Sequence, residues 1–423
     1  MLCRCCLTAG LLFFVLGTVA QAGNWPAFRG PAGNGISPEK NLPITWSPQQ
    51  NVLWRVELPG PGNSSPIVSN GRVFVTCATD KGQQRMLYCF DRQEGRELWK
   101  RTVEYDVVEK THQTNPYCGS TPAVSGERIV VWHGSAGLFC YDLNGKQLWD
   151  RQLGKVGHIW GYGSSPVIYG NAVFLNFGPG VESFMTALNL RTGETLWKMP
   201  EPGGANDRSG RIVGSWSTPI IAKVDGHDQL ICSMPTRVVA YDPADGNIIW
   251  SCDGLTSQRG DLVYTSPLIS GELCVALGGY QGPALCFRLG GSGNVTENNR
   301  LWRNVQKQPQ RIGSGVIIGR HIFTVNAGPG TAECIELETG KQLWQARLPG
   351  NNSWGSLIFA DGRLYVTGQD GTTSVFLPNP ERFDSVATNQ LGEPSNSTPA
   401  FSDSQIFIRT HSAVYCIGER AAR

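Results

Sequence analysis

The chain has 423 residues, of which 17% are charged, and a formal net charge of +2 at pH 7. That balance, without clustered Lys and Arg, excludes a broad nucleic-acid footprint. Its 52 glycines suit many short strands joined by tight turns, and beyond the amino terminus no stretch nears the ~18 apolar residues of a membrane helix.

In chain order, residues 1–22 read as a signal peptide. Arg4 is their single charge, an apolar stretch runs from Leu11 to Val19, and Ala20-Gln21-Ala22 forms a small-x-small cleavage site before Gly23. Gly23 stands where a lipoprotein carries Cys. The mature chain is therefore expected to be exported (periplasmic or extracellular), without a membrane span, and monomeric. Residues 23–50 form an N-terminal wrap. Residues 51–58 (NVLWRVEL) read as a strand with no repeat before it.

From there a repeat dominates. Trp54, Trp99, Trp149, Trp197, Trp250, Trp302 and Trp344 each follow Leu or Ile, at intervals of 42 to 53 residues. Such a period indicates a propeller, a solenoid or an array. The unit from Ser120 to Leu153 reads as four strands, with Gly126, Ser135-Ala136-Gly137 and Asn144-Gly145 as its turns. Eight openings precede the first strands: at Ser64-Ser65-Pro66, Ser120-Thr121-Pro122, Ser164-Ser165-Pro166, Ser217-Thr218-Pro219, Thr265-Ser266-Pro267, Gly313-Ser314-Gly315, Gly355-Ser356-Leu357 and Ser397-Thr398-Pro399. Pro suits the innermost edge of a blade, where no ladder donor is needed. The recurrent Asp or Asn and Gly before each Trp, as in Asn189…Gly193…Trp197, read as turn chemistry. The seven Trp read as docking residues packed between blades.

The last repeat stops after its third strand, at Tyr415-Cys416-Ile417. Residues 51–58 would supply its missing strand and close the ring. The expected fold is therefore all-β: an eight-bladed propeller of four antiparallel strands per blade, one domain over 23–423. The seventh repeat is degenerate, because 376–391 lacks both the Gly turn and the Trp. Ten cysteines follow the signal, five of them (Cys89, Cys140, Cys286, Cys334, Cys416) at one repeat position. They read mainly as small buried apolar residues, with one or two bridges left open among Cys77, Cys118, Cys232, Cys252 and Cys274. No Cys/His cluster suggests a metal site.

The repeat unit, best seen in Ala187-Leu188-Asn189-Leu190-Arg191-Thr192-Gly193-Glu194-Thr195-Leu196-Trp197, resembles the tryptophan-docking repeat of quinoprotein (PQQ-type) propellers. The head segment Trp25-Pro26-Ala27-Phe28-Arg29-Gly30-Pro31 is similar to the start of exported bacterial PQQ-like repeat proteins, notably of planctomycetes. The resemblance implies two kinds of activity. Quinoprotein alcohol dehydrogenases hold pyrroloquinoline quinone (PQQ) over adjacent cysteines, with calcium and an Asp base. BamB-like members are lipoprotein scaffolds without redox chemistry. The only adjacent cysteines here are Cys5-Cys6, inside the signal.

Function is expected on the face carrying the inter-blade loops and the loops joining second to third strands. Those loops bring together His112, Asn115, Tyr117, His158, Trp160, Tyr162, Arg208, Arg211, Trp216, Arg259, Asp261, Tyr264, Arg311, Asn352 and Trp354. Trp160, Trp216 and Trp354 each lie just before a first strand, near the channel mouth. With neighbouring Arg they suit stacking on, and pairing with, a sugar-like or anionic ligand; a packed aromatic plug with solvated Arg fits the same residues. His112 and His158 occupy equivalent loops and suit acid–base work. No nucleophile elbow, phosphate loop or HExxH helix appears. The expected function is binding or scaffolding of an envelope protein, a glycan or a small anion, with no catalytic residue and no metal. The alternative is a PQQ- and calcium-dependent alcohol dehydrogenase.

Overall fold

The computed structural model describes residues 23–180, 182–201, 212–305 and 310–419. The segment 1–22 and the candidates Arg208 and Arg211 lie outside the described residues. Eight antiparallel blades form a β-propeller. A representative blade orders Ala123–Ser125, Arg128–Trp132, Leu138–Asp142 and Gln147–Arg151 from the channel outward. The eighth blade takes Ala400–Ser402, Gln405–Arg409 and Ala413–Ile417 from the carboxyl end and Val52–Glu57 from the amino end. Trp54 faces Cys416 and Arg55 faces Tyr415 across that pairing, so the ring closes as the sequence predicts. Closure removes the free edges of an open array.

A polar clip secures the closing strand. Arg55 reaches Glu393 at 2.8 Å, and Tyr415 Oη and Ser412 Oγ each donate to Glu393 at 2.7 Å. Partial burial pushes the Glu393 carboxyl up, but hydrogen bonds from Thr410, Ser412, Tyr415 and Arg55 outweigh it and hold the group at about 2, below its ordinary 4.5. A depressed carboxylate stabilises the fold above its unfolded value and loses that contribution as pH falls through the folded one. Discounted for solvent screening, the clip contributes on the order of 1 kcal/mol. Denaturant midpoints of wild type should therefore fall between pH 4.5 and pH 2 more steeply than those of Glu393→Gln. Parallel curves for the two proteins would show that the clip is not what responds to acid.

Blades adhere through the recurrent Trp. The indole N–H of Trp54, Trp99, Trp149 and Trp197 donates to Arg92, Leu143, Leu190 and Pro243 carbonyls on the following blade, at 2.9–3.0 Å. Trp302 and Trp344 do the same to Leu337 and Asn379. Opposite the Trp in its own sheet stands a small residue, as in Cys89↔Trp99, Cys140↔Trp149 and Cys334↔Trp344. That pairing explains the recurrent Cys: the ring needs a slim neighbour. All ten described cysteines are buried free thiols.

Two blades depart from the pattern. Trp250 packs on Phe287 of the next blade at 5.5 Å but donates its N–H to Gln229 within its own blade. The turn it would have met is replaced by an insertion. There Gly293–Asn294 pairs parallel with the outer strand Ile248–Asp253, and the short helix Thr296–Asn299 follows. In the seventh blade Ala387 holds the position of the missing Trp, opposite Val375. Trp46 and Leu42 of the wrap join the core cluster that packs there.

The wrap also crosses the face opposite the long loops. Trp25 pairs with Val68, Val124 N–H donates to Pro26, and Phe359 exchanges bonds with Gly35 and Ser37. These contacts fall on the first strands of blades one, two and seven, so the segment bridges the channel from beneath. Among the described residues no helix is long and apolar enough to cross a membrane.

Candidate functional site

Around the channel the second residue of every opening carries a hydroxyl. The backbone N–H of Ser65 donates to Thr121 Oγ1, Thr121 to Ser165, and Ser165 to Thr218, at 2.9–3.0 Å. The circuit continues from Ser266 to Ser314, Ser356, Thr398 and back to Ser65. Seven of the eight hydroxyl oxygens, all but that of Ser266, thus accept from the preceding blade and keep their own hydrogen to donate. The ring has two consequences: it links the blades at the axis and surrounds the channel with O–H donors.

Above this ring lies a cavity of about 690 Å³. Ser65, Thr218, Ser314, Ser356 and Thr398 form its lower wall, and Phe28 of the wrap is its floor. Trp160, Trp216, Tyr264, Tyr280 and Trp354 supply aromatic walls. His112 and Arg259 stand exposed at the rim. The indoles do not plug the mouth. Trp160 and Trp216 lie 6.0 Å apart and Trp216 meets Tyr264 at 5.1 Å, leaving Trp354 without a ring partner among the described residues.

Local structure fixes the walls. Two inter-blade loops zip together where Val213–Ser215 pairs in parallel with Asp261–Val263. That places Trp216, whose backbone N–H donates to Val263 and whose indole donates to Gly161 at 2.9 Å. Asn115 clamps a second loop pair by donating to the carbonyls of Trp160 and Tyr162 at 2.7 and 2.8 Å. Its Oδ1 accepts from Asn63, which in turn accepts from Asn396. Asn115 lines the cavity, but its amide is committed to holding the loops.

Several candidate residues sit elsewhere. His158 lies behind the wall, edge-on to Trp216 at 4.9 Å, and burial lowers its pKa to about 4, so it is neutral at physiological pH and not paired with His112. Tyr162 is buried, donates to the Tyr117 carbonyl at 2.6 Å, and faces Arg85. Tyr117 donates to Glu109 at 3.0 Å. Asp261 is buried in its short strand. Arg311 is buried against Glu333 at 2.8 Å and opens on a separate cleft between blades five and six. Asn352 lies off the cavity, its carbonyl accepting from Gln369. Phe28, Tyr280 and the hydroxyl ring were not singled out from the sequence. The ring had a signal, a Ser or Thr at the same place in all eight openings.

A family model described as outer membrane protein assembly factor BamB, built on PQQ-type repeats, matches residues 44–100, 83–345 and 294–379. The chain belongs to this PQQ-like β-propeller family. It is 21% identical over 329 residues to the outer membrane protein assembly factor BamB of Burkholderia pseudomallei, covering 77% of this chain and 76% of that one. The crystal structure of BamB from Moraxella catarrhalis superposes with a TM-score of 0.60 at 13% identity, over 88% of this chain and 98% of that one. Quinohemoprotein alcohol dehydrogenase from Comamonas testosteroni superposes with a TM-score of 0.65 at 12% identity, over 97% and 83%. At such identities the structural likeness establishes the fold alone.

The family's quinone and calcium can be tested against the donor set. No Asp or Glu lines the cavity among the described residues, and no group of three or more His, Cys, Asp or Glu able to hold a metal ion occurs among them. Calcium needs six to eight oxygen ligands, usually including carboxylates. The residues present do not fit a calcium-held quinone.

Proposed function

We propose that this chain is an exported binding propeller that takes a glycan in the mouth of its channel. The observation that carries this is the indole-walled cavity of about 690 Å³ above a ring of hydroxyl donors, a volume within the usual ~300–1,000 Å³ of ligand sites. Indole faces match the C–H faces of sugar rings, and hydroxyls match their oxygens. Export rests on the reading of residues 1–22. Titration with soluble oligosaccharides, followed by Trp fluorescence and calorimetry, should give saturable binding with a Kd on the order of micromolar. A flat response across a broad oligosaccharide panel would reject the proposal.

A second reading, docking of an envelope protein, has its own support. Val107, Val108, Ile159 and Tyr280 are exposed on loops of the loop-rich face, Tyr280 in the cavity wall, and exposed apolar patches mark interaction surfaces. Membership of a family described for outer-membrane protein assembly points the same way. Val108→Glu with Ile159→Glu should abolish capture of such a partner while leaving sugar titrations intact.

A further inference from the structure

Two arginines sit just behind the cavity wall without a carboxylate partner among the described residues. Arg29 and Arg409 are fully buried, and Nε and Nη1 of each make no hydrogen bond among the described residues. Other buried guanidiniums in the chain are neutralised: Arg85 pairs with Glu109, and Arg311 with Glu333. A buried charge without a counter-charge is costly, so it calls for an explanation.

Their positions supply one. Arg29 follows Phe28, the floor of the cavity, and donates through Nη2 to the Gly315 carbonyl at 2.5 Å, one residue beyond Ser314 of the hydroxyl ring. Arg409 lies 3.7 Å from Cys118 Sγ. A Cβ on Gly62 would fall 2.3 Å from both its terminal nitrogens, so only glycine allows that approach. Gly62 and Cys118 immediately precede Asn63 and Gly119, both in the cavity wall. The cavity therefore has two positive charges behind its wall and, among the described residues, no acidic side chain on it. Among the described residues its uncommitted donors include the ring hydroxyls, the indole N–H of Trp160 and Trp354, and the Arg259 terminal nitrogens at the rim. Such a site carries a positive potential focused by low-dielectric walls.

We propose that the cavity selects an acidic sugar, whose carboxylate is held by the hydroxyl ring near Arg29 while its ring stacks on the indoles. This rests on the glycan reading above. The test compares trigalacturonic acid with its fully methyl-esterified form, which keeps the same sugar chain and carries no charge, by calorimetry on the wild-type chain. The acid should bind at least tenfold more tightly. In Arg29→Met that preference should vanish while ester binding persists, with the melting temperature recorded to establish folding. If Arg29→Met does not fold, the wild-type ligand pair still decides. Equal or tighter binding of the ester, or binding of neutral oligosaccharides alone, overturns the acidic selection and leaves the glycan reading standing. Failure of every saccharide, charged or neutral, removes both.

Discussion

Replacing Trp149 with alanine is expected to lower the unfolding free energy by about 3–5 kcal/mol, read as a shift in urea midpoint. The side chain is 6% exposed, lies in the core between blades two and three, and donates to Leu190 at 3.0 Å. Its loss leaves both a void and an unpaired carbonyl at one interface. In a repeat architecture each blade relies on its neighbours, and a closed ring cannot shed the defect at a free end. Gly193 is the partner in this dock: its φ is +73° and an added Cβ would lie 2.7 Å from the Trp149 ring. Gly193→Ala should therefore destabilise through both backbone strain and collision. In the double variant the collision disappears, so the two losses should combine to less than their sum by about 1 kcal/mol. Strict additivity would mean that Gly193 is required for its backbone conformation alone.

The same logic explains what the sequence makes legible. A docking Trp acts within a turn whose Asp or Asn, Gly and small strand partner recur at fixed offsets, so period and chemistry are visible together. Blade count and closure follow, because the strand at 51–58 and the unfinished last repeat are complementary. The hydroxyl ring is written just as regularly, yet its purpose is hidden. The N–H that Thr121 Oγ1 accepts belongs to Ser65, and Thr398 donates to Ser65 Oγ across nearly the whole chain. Only the closed circle makes these residues neighbours. Loop residues mislead for a related reason. Arg311 looks like a rim cation until Glu333, on a later strand, neutralises it, and His158 looks like an acid–base group until Trp160 and Trp216 desolvate it. Arg29 and Arg409 stand outside the repeated phrase, so the repeat does not mark them, although Arg29 belongs to the head segment. The Trp at 25 and 46 also escape the repeat, although Trp25 packs on Phe401 at 5.7 Å and Trp46 joins the core cluster that includes the blade without a docking Trp.

Trp354→Ala is expected to weaken oligosaccharide binding roughly 30-fold, about 2 kcal/mol, with little change in stability. The distinction from Trp216 is physical. Trp216 is 8% exposed, hydrogen-bonded to Gly161 and packed on His158, Trp160 and Tyr264, so its removal should damage wall and fold together. Trp354 is half-buried in the cavity wall, and its indole has no hydrogen bond or aromatic contact among the described residues. A large apolar side chain that the fold leaves uncommitted, facing a cavity whose opposite wall is also indole, is suited to closing on a flat ligand. Calorimetric titration beside a thermal melt separates the two effects. Trp354→Ala should lose affinity at constant melting temperature, and Trp216→Ala should lose both. Unchanged affinity in Trp354→Ala would place the sugar away from this wall. A large drop in its melting temperature would make the residue a structural one, with the cavity an incidental gap between blades.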